Sequence, residues 1–284
     1  MLNVKVGYHC ITWWQGKHGE KKEQNLIKSL DEISAVGYKG FETGLFLIDE
    51  YYGREKELKD IIAERNLELV TLYGGGGFID PAKYDEEIER NTKGMEMLAK
   101  MGASIFVTAG GTKRPEGNTE ADYQILAKAL NELGRRCKDY GLKSCYHLHW
   151  KTMVETREQL TWLMENTDPN LVWLLADTAH LMRGGSEPVE VFKTYINRIA
   201  YTHFKDIDMN EVKEDAAKGD YRSVINYFKE LGEGKVDFSS IIRIMDKSSY
   251  NGWIMIELDS TTRTPKESAQ ISKKYLEEKL GVKV

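Results

Sequence analysis

Five of the six histidines in this 284-residue chain, His9, His147, His149, His180 and His203, stand at or beside the ends of short apolar or β-branched runs. Carboxylates keep them company. Phe41-Glu42-Thr43, Asp177-Thr178-Ala179-His180, His203-Phe204-Lys205-Asp206 and Glu257-Leu258-Asp259 each close such a run. Imidazole with carboxylate is a ligand set for Mn²⁺, Co²⁺, Zn²⁺, Fe²⁺ and, less readily, Mg²⁺. Asp177, His203 and Glu257 end three consecutive runs, so in a closed parallel barrel their side chains converge on one point. Taken singly, each is more often a cap or a solvated group; the trio together reads as a metal site. A metal on a carbonyl and its neighbouring hydroxyl stabilises the enediolate left by loss of an α-proton. Reprotonation then gives an isomer or epimer, and loss of a β-hydroxyl gives dehydration.

Either outcome needs proton transfer, for which His149, His180 and Glu155 are the candidates, because a histidine near its ordinary pKa works in both directions at neutral pH. The plain alternative for His180 is packing behind the ligands. Lys205 is expected to touch a substrate hydroxyl or carbonyl, and Glu42 to bind substrate hydroxyls; a solvated lysine and a structural acid are the alternatives. Trp13, Trp14 and Trp150 stand at loop starts, where flat faces could pack on a sugar ring, and Lys151 joins Trp150 as a binding candidate. Trp173 and Trp253 lie inside runs and read as core.

The elements that must position these groups alternate. Strands are expected at 4–9, 39–43, 68–73, 104–109, 143–149, 172–177, 199–205 and 252–257. Helical period fills 23–36, 55–65, 85–101, 120–140, 157–166, 189–196, 238–245 and 265–280. Glycines sit where helix C-caps belong, as in Lys100-Met101-Gly102-Ala103. Strand–helix alternation implies βαβ units and a parallel sheet, and eight units predict an α/β fold, a single (β/α)8 TIM barrel over residues 1–284. An open dinucleotide-binding sheet would want G-x-G-x-x-G after the first strand, where this chain has Cys10-Ile11-Thr12-Trp13-Trp14. The run Gly74–Gly77 reads as a flexible loop on the substrate side. The long stretch 206–235, with mixed charges, reads as a lid or as a decorated surface.

The formal net charge of -5 argues against a nucleic-acid partner. No stretch approaches the length of a spanning helix, the first residues lack the apolar core of a signal peptide, and three cysteines without paired spacing suggest buried thiols in a reducing compartment. A cytoplasmic protein without membrane attachment is expected.

At the strand ends the chain resembles the xylose isomerase-like TIM barrels, a family that includes sugar epimerases, hydroxypyruvate isomerase, inosose dehydratase and endonuclease IV. The shared pieces are Asp177-Thr178-Ala179-His180, His203-Phe204-Lys205-Asp206, Gly232-Glu233-Gly234-Lys235-Val236-Asp237-Phe238 and Gly252–Glu257. The His147-Leu148-His149 pair, Thr152-Met153-Val154-Glu155 and Asn166-Thr167-Asp168-Pro169 are similar to the inosose dehydratase branch. The resemblance implies one divalent metal, with Mn²⁺ or Co²⁺ first in order, bound by Asp177, His203, Glu257 and a fourth ligand. The family's strand-five glutamate is absent here, so His147 or Glu155 is left for that place. It further implies a small polyol or keto-sugar substrate, a homo-oligomer, and dehydration of a keto-inositol, with ketose epimerisation or sugar isomerisation as the alternative. The additional ligands of the three-metal endonuclease branch are missing: strand four ends in Thr108-Ala109-Gly110-Gly111.

Overall fold

Successive residues of a strand face opposite sides, and closing a parallel sheet turns one of those sides into a barrel interior. In a computed structural model that describes residues 2–14, 22–212 and 227–284, eight parallel strands do this. They are β1 (Lys5–His9), β2 (Gly40–Gly44), β3 (Glu68–Gly76), β4 (Ile105–Gly110), β5 (Lys143–His147), β6 (Val172–Asp177), β7 (Ile199–Phe204) and β8 (Trp253–Ile256). Sequence neighbours pair throughout, and β8 closes the ring on β1 with Lys5 opposite Trp253.

The interior is filled in layers by alternate residues. Cys145, Leu175, Tyr201 and Met255 pack with Val70, Ile105 and Val107 into one cluster, with Trp173 and Trp253 against it. Two residues further along β5, β6, β7 and beyond β8 come His147, Asp177, His203 and Glu257. The period of two that buries the first layer therefore delivers the second to the C-terminal mouth. Trp173 and Trp253 belong to the packed interior, as expected, and Lys143 and Lys5 lie over their rings at 4.4 and 5.2 Å.

Outside the sheet lie α1 (Lys22–Val36), α2 (Leu47–Tyr51), α3 (Glu55–Ala63), α4 (Tyr84–Met101), α5 (Glu120–Asp139), α6 (Arg157–Asn166), α7 (Thr178–Arg183), α8 (Pro188–Tyr195), α9 (Phe238–Lys247) and α10 (Pro265–Leu280). Reciprocal capping boxes, Thr119 with Asp122, Thr156 with Gln159 and Thr264 with Glu267, start α5, α6 and α10. Gly102, at φ 83°, ends α4 as its position predicts.

Three local expectations change. The glycine run is not a loop: Gly74–Gly76 continues β3 and pairs with Thr108–Gly110. A Cβ on Gly75 would lie 1.9 Å from the Ala109 carbonyl oxygen, so this close approach of β3 to β4 demands glycine. Secondly, β5 stops at His147, and the chain turns through Lys151, whose φ is 71°. Thirdly, the residues after Asp177 form α7 at once, with the Asp177 carboxylate accepting the His180 N–H at 2.8 Å.

Of the stretch read as a lid, residues 213–226 lie outside the described residues. Its base is an antiparallel pair, Asp206–Ile207 with Phe228–Lys229. The Asp206 carboxylate accepts the N–H groups of Ile207, Gly232, Gly234 and Val236 at 2.9–3.0 Å. That clamp gives the Gly232–Phe238 motif a physical reason, since a Cβ on Gly234 would meet Asp206 Oδ1 at 2.3 Å.

Candidate metal centre and active site

One potential ligand atom from each of His147, Asp177, His203 and Glu257 lies within 4.8 Å of the other three, and all four residues are buried. His147 Nε2 stands 3.5 Å and His203 Nδ1 3.7 Å from Asp177 Oδ2, and His203 Nδ1 lies against Glu257 Oε2. None of the four atoms, His147 Nε2, Asp177 Oδ2, His203 Nδ1 and Glu257 Oε2, has a partner in hydrogen-bonding geometry. Burying polar atoms without well-formed hydrogen bonds is costly, and four such atoms aimed at one point, two of them in an ion pair, form the environment that a shared cation would satisfy. Two imidazoles and two carboxylates, with no thiolate, suit the borderline divalent metals. The residues present fit the group.

A supporting layer fixes the ligands. Glu42, fully buried, accepts from His203 Nε2 and from the Tyr201 hydroxyl, each at 2.8 Å, and its second oxygen lies 3.5 Å from His9 Nε2. A carboxylate on the far nitrogen of a ligating histidine sets its tautomer and ring angle. The Tyr73 hydroxyl stands 3.3 Å from His147 Nδ1. The Lys205 ammonium, wholly buried, donates to Asp259 at 2.8 Å and lies 3.3 Å from Glu257 and 3.6 Å from Asp177. Burial opposes charge on every member. Even so, Glu42 and Glu257 hold the His203 imidazole well above its ordinary pKa, while Lys205 and then His203 hold Glu257 well below its own. Asp177 is likewise held down against burial, by Lys205 first and then His180. To hold a metal through Nδ1, His203 would have to be in its neutral form, as any ligating histidine is.

His149 and His180 stack with ring centroids 3.9 Å apart. The His149 Nδ1 lies 2.6 Å from the Trp150 carbonyl oxygen. A carbonyl only accepts, so Nδ1 carries the proton and Nε2 is the basic nitrogen. His149 is half-buried and lines a cavity of about 430 Å³ with Leu45, Tyr73, Gly74–Gly76 and Thr152. His180 is fully buried, between the Trp150 N–H at its Nδ1 and the Lys205 ammonium at its Nε2, both at 3.4 Å. A neutral imidazole can accept at only one nitrogen, so one of these contacts is not a hydrogen bond. Burial and then His149 push the His180 pKa well below the ordinary value.

The other expected site residues fall as follows. Glu155, the alternative fourth ligand and a proton-transfer candidate, is not brought to the centre. It lies on the rim, paired with Lys113 and accepting the Lys151 N–H at 2.8 Å, because the chain turns away after His147. Lys205 and Glu42 are both fully buried, Lys205 beside Glu257 and Asp177 and Glu42 behind His203. Trp13 is core: its Nε1 donates to Glu32 at 2.7 Å and its ring meets Tyr8 edge-on. Trp14 is buried against Phe46 at 4.4 Å. Trp150 and Lys151 stand at the mouth, Lys151 Nζ 4.8 Å from the indole. Sequence reasoning missed Tyr73 and Tyr201, which reach the site from β3 and β7. Their signal was register: Tyr201 sits two residues before His203 on the same inward face.

Comparison with known proteins identifies the family and the fold. A model of the xylose isomerase-like TIM barrel matches residues 30–279. The chain belongs to the xylose isomerase-like TIM barrel family. It is 32% identical over 302 residues to an inosose dehydratase of Clostridium beijerinckii, covering 99% of this chain and 100% of that one. An inosose dehydratase of Clostridium perfringens is 31% identical over 300 residues, covering 99% of both. Among solved structures, the IOLI protein with a bound zinc atom superposes with a TM-score of 0.77 at 17% identity, covering 98% of each chain. That likeness shows the fold. As a member of this family, similar over its whole length to inosose dehydratases, the chain is an enzyme. Among the described residues no helix is long and apolar enough to cross a membrane.

Proposed function

We propose that this enzyme dehydrates a keto-inositol or related keto-sugar, in the cytoplasm, with one Mn²⁺ or Co²⁺ held by His147, Asp177, His203 and Glu257. The observation that carries the reading is the convergence of four buried potential ligand atoms beside a cavity lined by one accessible histidine. Whole-length identity to inosose dehydratases supports the substrate class. A divalent cation supplies Lewis acidity to a carbonyl and stabilises negative charge on its oxygen.

The chain's own residues do the rest. His149 faces the cavity with its Nδ1–H committed to the Trp150 carbonyl, so Nε2 takes the proton from the substrate α-carbon. The C–H electron pair passes into the enediolate. Those electrons then form the Cα=Cβ bond as the Cβ–O bond breaks and the β-hydroxyl leaves with the C–O pair; the protonated His149 returns its proton to that leaving oxygen, so one water is lost and an enone is left. Lys205 and Glu42 hold the ligands and do not touch substrate. Reprotonation of the enediolate at carbon would instead give an epimer or isomer by the same first step.

The test is incubation of the metal-loaded enzyme with 2-keto-inositol and, separately, with ketohexoses. Dehydration predicts an enone absorbance with the former alone; epimer formation without that absorbance contradicts it.

A further inference from the structure

At the mouth of the barrel, α7 ends against the loop that follows β5. A Cβ on Gly184 would lie 1.8 Å from the Glu155 carbonyl oxygen, so only glycine lets the two segments come this close. The approach sets the Arg183 guanidinium 4.2 Å from the centre of the Trp150 ring, and the same indole receives the Lys151 ammonium at 4.8 Å. Stacking satisfies the face of a guanidinium but leaves its N–H edge. Here Arg183 Nε and Nη2 are shielded from solvent and meet no acceptor. Donors of a charged group buried in that way carry an uncompensated desolvation cost. Among the described residues nothing supplies the missing acceptor. Glu155, whose charge acts on Arg183, is already engaged by Lys113 and by the Lys151 N–H. Among the described residues, the cations Lys151 and Arg183 thus share the Trp150 ring, while the Glu155 carboxylate is taken up by Lys113. Lys151 also holds a left-handed backbone at φ 71°, a strained conformation for a side-chain-bearing residue and one that concentrates at ligand sites.

We infer that Arg183, with Lys151 and Trp150, forms a subsite for an oxyanion, a carboxylate or phosphate, which within the proposed substrate class favours an acidic or phosphorylated keto-sugar over the neutral keto-inositol. A guanidinium edge is a planar two-pronged donor that matches either group. The subsite adjoins the candidate active site, because the Trp150 carbonyl accepts from His149 Nδ1 and its N–H points to His180. It rests on the proposed function only in taking the cavity beside His149 as the place of the substrate. A neutral hydroxyl would answer the two N–H groups but leave the excess positive charge, which is why an anion is the better match.

The test is calorimetric titration of the metal-loaded protein with inorganic phosphate, D-gluconate and myo-inositol. The wild type is compared with Arg183→Gln and Arg183→Lys at equal metal content. At least one of the two oxyanions should bind the wild type and lose about tenfold or more in affinity in Arg183→Gln, with part of the loss restored by Arg183→Lys. A larger loss for phosphate points to a phosphorylated substrate, and a larger loss for gluconate to a sugar acid. Myo-inositol should change by less than about twofold. Anion coordination to the metal is common to all three proteins and cancels in the comparison. The inference is overturned if neither oxyanion binds the wild type, if Arg183→Gln binds both as well as wild type does, or if myo-inositol loses as much as they do. Because no turnover is read, failure of the dehydratase reaction leaves this comparison intact.

Discussion

Replacing Glu42 by glutamine should loosen the metal centre without opening a cavity. The side chains have nearly the same volume, so the change is confined to charge and hydrogen bonding. Glu42 accepts from His203 Nε2 and Tyr201 Oη, each at 2.8 Å, in a fully buried position. Glutamine keeps one acceptor oxygen and brings two N–H donors for which this pocket has no ready acceptor. Loss of a carboxylate behind a ligating histidine typically weakens metal binding by about 10–100-fold, or about 1.4–2.7 kcal/mol. A second effect runs the other way: Glu42 also helps to hold a proton on His203, and its removal relieves that competition. Near neutral pH the expected loss is therefore at the lower end, about tenfold. Competition with a chelator for Mn²⁺ or Co²⁺ measures it, with Tyr201→Phe as the milder control. An affinity within twofold of wild type in Glu42→Gln would refute the idea that this carboxylate orients His203.

Asp122 tests a structural charge. Hydrogen bonding from Arg114 first, and then the Thr119 N–H, hold its carboxyl at about 2, below the ordinary 3.8. A depressed folded-state pKa stabilises above the unfolded value and is lost as pH falls through the folded one. The Tm gap between wild type and Asp122→Asn should thus be full above about pH 4 and shrink toward pH 2; a gap independent of pH would contradict it. Asp206→Asn should cost about 2–3 kcal/mol in denaturant unfolding, because an amide N–H2 would face backbone donors that now have a carboxylate. A cost below about 0.5 kcal/mol would show that the clamp on the Gly232–Phe238 segment is not needed.

The barrel was legible because its signals are local and repeated: apolar runs of strand length, helical periods between them and glycine at helix ends. Asp177, His203 and Glu257 were legible as neighbours for the same reason, since adjacent parallel strands end side by side. What the sequence concealed depends on geometry across the ring. His147 and Glu155 competed on chemistry, and only the turn after β5 places one at the centre and the other on the rim. Trp13 and Trp14 look like ligand platforms by position, yet the short 3-10 turn after β1 packs both inward. Gly74–Gly76 reads as loop by propensity, and its place in β3 follows from the Ala109 carbonyl that leaves no room for a side chain. Arg183 carries no motif at all; its setting is visible only once α7 is seen to end on Glu155.

The most direct measurement is metal-edge anomalous diffraction from crystals grown with Mn²⁺ or Co²⁺. The geometry described above predicts one ion, coordinated by His147 Nε2, Asp177 Oδ2, His203 Nδ1 and Glu257 Oε2. An ion bound elsewhere, or no ion at that point under metal-replete conditions, would contradict it.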